Sequence, residues 1–139
     1  MSGAESAEEE VAPPKVCTPE LLKEKMSNIG PTFDGTAFTF LTLDLEDAEL
    51  INLSPELDNY IHLRFVNFNR CNLGNIDNLK KMPHLLSVQA ESNELKAMDM
   101  FKDEELFTYL QNLNLAYNLI AAFPAFKLPK LLHLNLRGN

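Results

Sequence analysis

One apolar pattern returns five times along this chain. Leu63, Val66, Phe68, Cys71 and Leu73 occupy the first, fourth, sixth, ninth and eleventh places of a short template. Leu85, Val88, Ala90, Asn93 and Leu95 occupy the same places, as do Leu110, Leu113, Leu115, Asn118 and Ile120. A further copy reads Leu131, Leu134, Leu136 and Asn139, and a weaker leading copy reads Phe40, Leu43, Leu45, Ala48 and Leu50. The first places are 23, 22, 25 and 21 residues apart. A unit of that length cannot bury its own apolar side. Stacked neighbours can, by sharing one continuous core.

Alternation within each copy puts two apolar side chains on one side and their neighbours on the other, the period of a β-strand. The second half of each copy is apolar too. Leu50 is followed by Leu53 and Leu57, Leu73 by Ile76 and Leu79, and Ile120 by Phe123 and Phe126. The template L-x-x-L-x-L-x-x-N-x-L at this spacing is that of a leucine-rich repeat. The expected fold is an α/β solenoid: a leucine-rich-repeat horseshoe with short parallel strands on its concave face and an N-terminal capping helix. The ninth place turns the chain away from the strand, and an amide there can bond backbone groups that the turn leaves unpaired. Asn93 and Asn118 suit that task, and Cys71 can stand in as a small, weakly bonding group. Ala48 cannot, which makes the leading copy a degenerate one.

The pattern divides the chain into three parts. Residues 1–17, rich in Glu, Ala and Pro, read as a disordered acidic tail, since they hold too little apolar surface to offset the entropy of ordering. Residues 18–39 read as a helical N-terminal cap. Thr18 suits an N-cap, Pro19 the first helical position and Gly30 a C-cap, while Leu22, Met26 and Ile29 would share one face of a helix over 19–29. Residues 40–139 are the repeats, about five copies with the last incomplete. A stop partway through a copy is expected of a fragment of a longer protein, or of an edge that another molecule covers.

Composition narrows the function. Twenty acidic residues against twelve Lys and Arg give a formal net charge of −8. Phosphate backbones are held by clustered Lys and Arg, so no nucleic acid is expected as a partner. The charge is uneven: residues 1–69 hold 13 acids and 4 bases, residues 70–139 hold 7 acids and 8 bases. The sequence shows no signal peptide and no stretch near the roughly 18 apolar residues of a membrane span, so no membrane is expected. Two distant cysteines, Cys17 and Cys71, read as reduced thiols of a cytoplasmic protein.

Catalytic chemistry finds little support. His62, His84 and His133 are the only histidines. His62 and His84 could be neighbours in adjacent copies, but no carboxylate or cysteine at ligand spacing joins them, so no metal is expected. Glycine-rich phosphate loops are absent, and Cys71 sits where a buried structural thiol belongs. The chain is expected to be no enzyme and to need no cofactor or small-molecule substrate.

What remains is the outward side of the strands. Four rows are expected there: Asp44, Asn67, Gln89, Asn114 and Asn135; Glu46, Asn69, Glu91, Ala116 and Arg137; Thr42, Phe65, Ser87, Asn112 and His133; and Asp47, Arg70, Ser92, Tyr117 and Gly138. Amides around two aromatic anchors make a protein-binding surface. The candidate binding residues on this concave face are Phe65, Asn67, Asn69, Arg70, Gln89, Glu91, Asn112, Asn114, Tyr117, His133, Asn135 and Arg137.

The phrases NYIHLRFVNFNRCNL (59–73), MPHLLSVQAESNEL (82–95), LQNLNLAYNLI (110–120) and LPKLLHLNLRGN (128–139) resemble the leucine-rich-repeat radial-spoke protein of motile cilia. The lead-in TPELLKEKMSNIG after an acidic tail is similar as well. The resemblance covers about residues 18–139. It implies a non-enzymatic structural subunit of the axoneme, in cytoplasm, cytoskeleton and cilium, whose partners are other radial-spoke subunits. It also implies further repeats and supplies no catalytic residues. Repeats of this length also occur in soluble regulatory binding modules of the phosphatase-targeting or spliceosomal type, which is the alternative.

Overall fold

The computed structural model describes residues 15–139. The expected acidic tail therefore lies outside the described residues up to position 14. Its last three residues are not loose: Lys15 forms a parallel bridge with Leu50, and Cys17 is buried.

Six strands form one sheet in sequential order: β1 Met26–Pro31, β2 Phe38–Asp44, β3 Phe65–Asn67, β4 Ser87–Gln89, β5 Asn112–Asn114 and β6 His133–Asn135. From β2 onward every pairing is parallel. The register sets Leu43, Val66, Val88, Leu113 and Leu134 side by side. This is the apolar spine that the sequence pattern requires. Leu45, Phe68, Ala90 and Leu115 form a second buried row two residues on, and Leu63, Leu85 and Leu110 lead into the strands, also buried. Each fully buried Leu or Phe contributes about 1.5–3 kcal/mol against exposure, so the spine dominates the stability of the stack.

The return half of each copy is less helical than an α/β reading implies. Among the described residues the only α-helix is α1, Pro19–Glu24. The returns instead carry 3-10 turns at Pro55–Asn59, Asp77–Lys81 and Asp99–Lys102, each burying one or two apolar residues such as Leu57, Leu79 and Phe101. Pro55, Gly74 and Pro83 punctuate these short segments and leave no room for a longer helix.

The N-terminal cap departs most from expectation. Helix α1 begins as read, with the Thr18 hydroxyl accepting the Leu21 N–H at 3.1 Å, but it ends at Glu24 rather than near residue 29. Residues 26–31 form a strand antiparallel to β2. Ser27, Asn28 and the Gly30–Pro31 pair favour no helix, and Asn28 takes a left-handed φ of 58°. The apolar spacing misled: Met26 is buried opposite Leu43 within the sheet, whereas Ile29 is 69% exposed. Gly30 is no C-cap. Leu41 lies so close over it that a Cβ there would stand 2.5 Å from the Leu41 Cδ1. The boundary expected between residues 39 and 40 falls inside β2, so cap and first repeat share one strand. Pro31 and the left-handed Asn28 also blunt β1 as an edge strand.

Candidate protein-binding face

Each turn that follows a strand is built from two side-chain devices. The first is the buried amide at the ninth place. Asn93 Oδ1 accepts the N–H groups of Cys71 and Leu73, both at 3.0 Å, while its Nδ2 donates to the carbonyls of Phe68 and Ala90. Asn118 does the same one turn on, accepting from Asn93 and Leu95 and donating to Ala90, Leu115 and Ala116. Cys71 substitutes as expected, its thiol donating to the Leu45 carbonyl at 2.7 Å. Burial pushes the Cys71 thiol pKa up, which keeps it protonated and unreactive.

The second device lies on the solvent side, among the residues that strand alternation marks as candidates for binding. Asn67 Oδ1 accepts the Asn69 N–H, Asn114 Oδ1 the Ala116 N–H and Asn135 Oδ1 the Arg137 N–H, at 2.9–3.1 Å. Asp44 does likewise for Glu46. Each is a side chain closing a turn onto the backbone two residues later. Gln89 is one methylene too long for this, and Asn69 takes its place by accepting the Glu91 N–H at 2.8 Å. The row that continues with Asp47, Arg70, Ser92, Tyr117 and Gly138 has φ between 55° and 76° throughout, the left-handed residue that reverses the chain.

Of the candidate residues, Asn67, Asn69, Asn114 and Asn135 are thus committed to the turns. Arg70 is committed as well: its Nε meets Asp47 Oδ1 at 2.5 Å and its Nη2 meets Glu46 Oε2 at 2.9 Å. That guanidinium holds the Asp47 carboxyl below the usual carboxylate range. Glu91 and Gln89 accept from the Asn114 amide. Ala116, expected outward, is buried instead.

The uncommitted groups are Phe65, Asn112, Tyr117, His133 and the Arg137 side chain. Phe65 and Tyr117 are 42% and 47% exposed. The Tyr117 ring lies across Gly138, where a Cβ would come within 2.3 Å of it. Only glycine satisfies both that contact and a φ of 76°. Between β4 and β6 the face dips into a depression of about 460 Å³ lined by Gln89, Asn112, Asn114, His133 and Asn135. The twelve candidates therefore lie on one face but separate into turn-holders and accessible groups.

His62 and His84 do lie in neighbouring copies, with rings parallel within 4° and 6.4 Å apart. Among the described residues, no cluster of three His, Cys, Asp or Glu side chains could hold a metal ion, and no helix is long and apolar enough to cross a membrane.

A second concavity escaped the sequence reading. It lies at the rim where the strands begin and is lined by Phe33, Arg64, His84 and Tyr109, among others. The signal was present in the column just before the first leucine of each copy, which reads His62, His84, Tyr109 and Lys130. Phe33 comes from the β1–β2 loop, which no repeat pattern places.

Parallel strands in strict register, an apolar spine and an amide ladder at the turns fit a leucine-rich-repeat fold. Comparison with known proteins agrees. The chain is 34% identical over 126 residues to leucine-rich repeat-containing protein 23 of Homo sapiens, 32% over 122 to that of Bos taurus and 33% over 135 to that of Mus musculus. The alignments take in 91%, 88% and 97% of this chain but 35%, 34% and 38% of those proteins. The chain thus spans about a third of the length of the curated relatives it matches. No protein-family model and no solved structure matches it.

Proposed function

We propose that this chain is a non-catalytic scaffold of the motile-cilium axoneme, held in a radial spoke, that grips other spoke proteins through the polar face of its sheet. The family resemblance of residues 59–73, 82–95, 110–120 and 128–139 carries the assignment to the spoke. The face supports the binding half: a rigid sheet presents Phe65, Tyr117, Asn112 and His133 without committing them to the fold. Rigid aromatic anchors lose little conformational freedom on binding, and polar groups around them fix register. The same reading places the protein in cytoplasm, cytoskeleton and cilium and assigns it no substrate and no cofactor.

Fractionation tests it. The full-length protein should stay with axonemes through detergent and salt extraction, and should be missing from axonemes of spoke-deficient mutants. Recovery with a phosphatase catalytic subunit from non-ciliated cells would replace this reading with that of a soluble regulatory module.

A further inference from the structure

The rim concavity lies off the polar face. The β1–β2 loop folds over the residues that lead into β3, β4 and β5, and a cleft of about 450 Å³ opens between them. That volume suits a bound side chain and its neighbours. Its wall is a set of flat rings. Phe33 lies on His84 with centroids 3.8 Å apart and planes within 6°, and Tyr109 is tilted against both, at 5.6 and 5.9 Å. Pro31 and Leu86 complete an apolar lining. The Nδ1 of His84 is buried without a hydrogen-bond partner, so burial and the nearby His62 and Arg64 charges hold its pKa down. The ring is therefore neutral near pH 7 and behaves as part of the apolar wall.

One cation borders this wall. Arg64 Nη2 donates to the Pro31 carbonyl at 2.9 Å, which fixes the guanidinium at the cleft. Arg64 has no ion pair among the described residues, so its charge is free to meet a ligand. Asp34, on the same loop, is occupied elsewhere. Its Oδ1 accepts the hydroxyls of Thr32 and Thr36 and the Thr36 N–H, which hold its pKa at about 2. In a chain of net charge −8, an unpaired guanidinium beside bare rings is complementary to a negative group next to an apolar one.

We propose that the rim cleft docks a peptide segment of a partner protein in which a bulky apolar side chain is followed by Asp or Glu. The side chain lies on the Phe33–His84–Tyr109 wall, and the carboxylate meets Arg64. This site is separate from the polar face and does not rest on the spoke assignment.

Amide NMR of the isotopically labelled full chain tests it with two blocked peptides, acetyl-Gly-Phe-Asp-Gly-amide and acetyl-Gly-Phe-Asn-Gly-amide. The acidic peptide should shift Phe33, Arg64, His84 and Tyr109 and bind about tenfold more tightly than the neutral one, the scale of a charge-assisted contact. Arg64→Gln should abolish the difference, and Arg64→Glu should transfer the preference to a lysine analogue. Phe33→Ser should weaken all three peptides alike. The unchanged amide pattern of β4 and β5 verifies that each variant is folded. Equal affinity for acidic and neutral peptides overturns the proposal. So do shifts confined to the polar face, or no shift with millimolar acidic peptide. Because the two surfaces are read at different residues, such a result leaves the polar-face reading standing.

Discussion

Asn93 and Asn118 sit in the turns, less than a tenth exposed, while Asn67, Asn114 and Asn135 stand on the solvent side of the same sheet. The side chain is identical, yet its removal leaves different debts. Without Asn118, the N–H groups of Asn93 and Leu95 lose the acceptor they share. The carbonyls it serves are covered by others: Ala90 by Asn93, Leu115 by Asn139 and Ala116 by the Ser92 N–H. Without Asn114, one N–H is stranded, that of buried Ala116. What separates the rows is the number of backbone donors each amide alone satisfies, not the amide itself.

That count orders the substitutions. Asn118→Ala strands two buried donors at about 1–3 kcal/mol each, so it should lower stability by about 4 kcal/mol in urea unfolding with an unchanged slope. Leu113→Ala gives the apolar scale beside it. The residue is buried between its β4 and β6 neighbours and should cost about 3 kcal/mol as a truncation that leaves a cavity. If Leu113→Ala were neutral, the register of the spine would be wrong. Asn114→Ala strands a single donor and should cost about 2 kcal/mol. A loss equal to that of Asn118→Ala would erase the distinction between the rows. This variant also cannot serve as a clean probe of binding, because it loosens the turn along with the surface.

The repeat was legible because leucine spacing is a direct record of which side chains face the shared core. Asn93 and Asn118 were legible for the same reason, since a polar residue at a fixed place among leucines has few roles other than holding backbone. The cap was not. Leu22, Met26 and Ile29 carry a helical spacing that tertiary pairing with β2 overrides, and a single window of sequence holds no record of that partner. The face row was half legible. Its outward direction follows from strand alternation, but the turn-closing bond of Asn67 or Asn135 depends on φ values just beyond the strand, which alternation does not encode.

Cys71→Ala removes a donor whose carbonyl partners each keep another bond. The Leu45 carbonyl keeps the Ala48 N–H, and the Asn69 carbonyl keeps the Asp47 N–H. The cost should be about 1 kcal/mol by the same unfolding measurement, the net worth of an ordinary hydrogen bond. A loss near that of Asn118→Ala would mean that the thiol does the full work of an asparagine.

The smallest effect on folding should accompany the largest on binding. Tyr117 holds no backbone group through its side chain, and its left-handed φ of 55° is shared by Arg70 in the same row, so a long polar side chain is tolerated there. Tyr117→Arg should therefore change stability by no more than about 0.5 kcal/mol, as a surface substitution does. Capture of a partner on the polar face should nevertheless weaken roughly tenfold or more, because an exposed aromatic anchor is lost. Thermal melting paired with binding by the intact protein separates the two quantities. A drop in melting temperature as large as that of Asn114→Ala would place Tyr117 among the turn-holders, with its ring on Gly138 as the reason. Phe65 would then be left as the sole aromatic that the face can offer a partner.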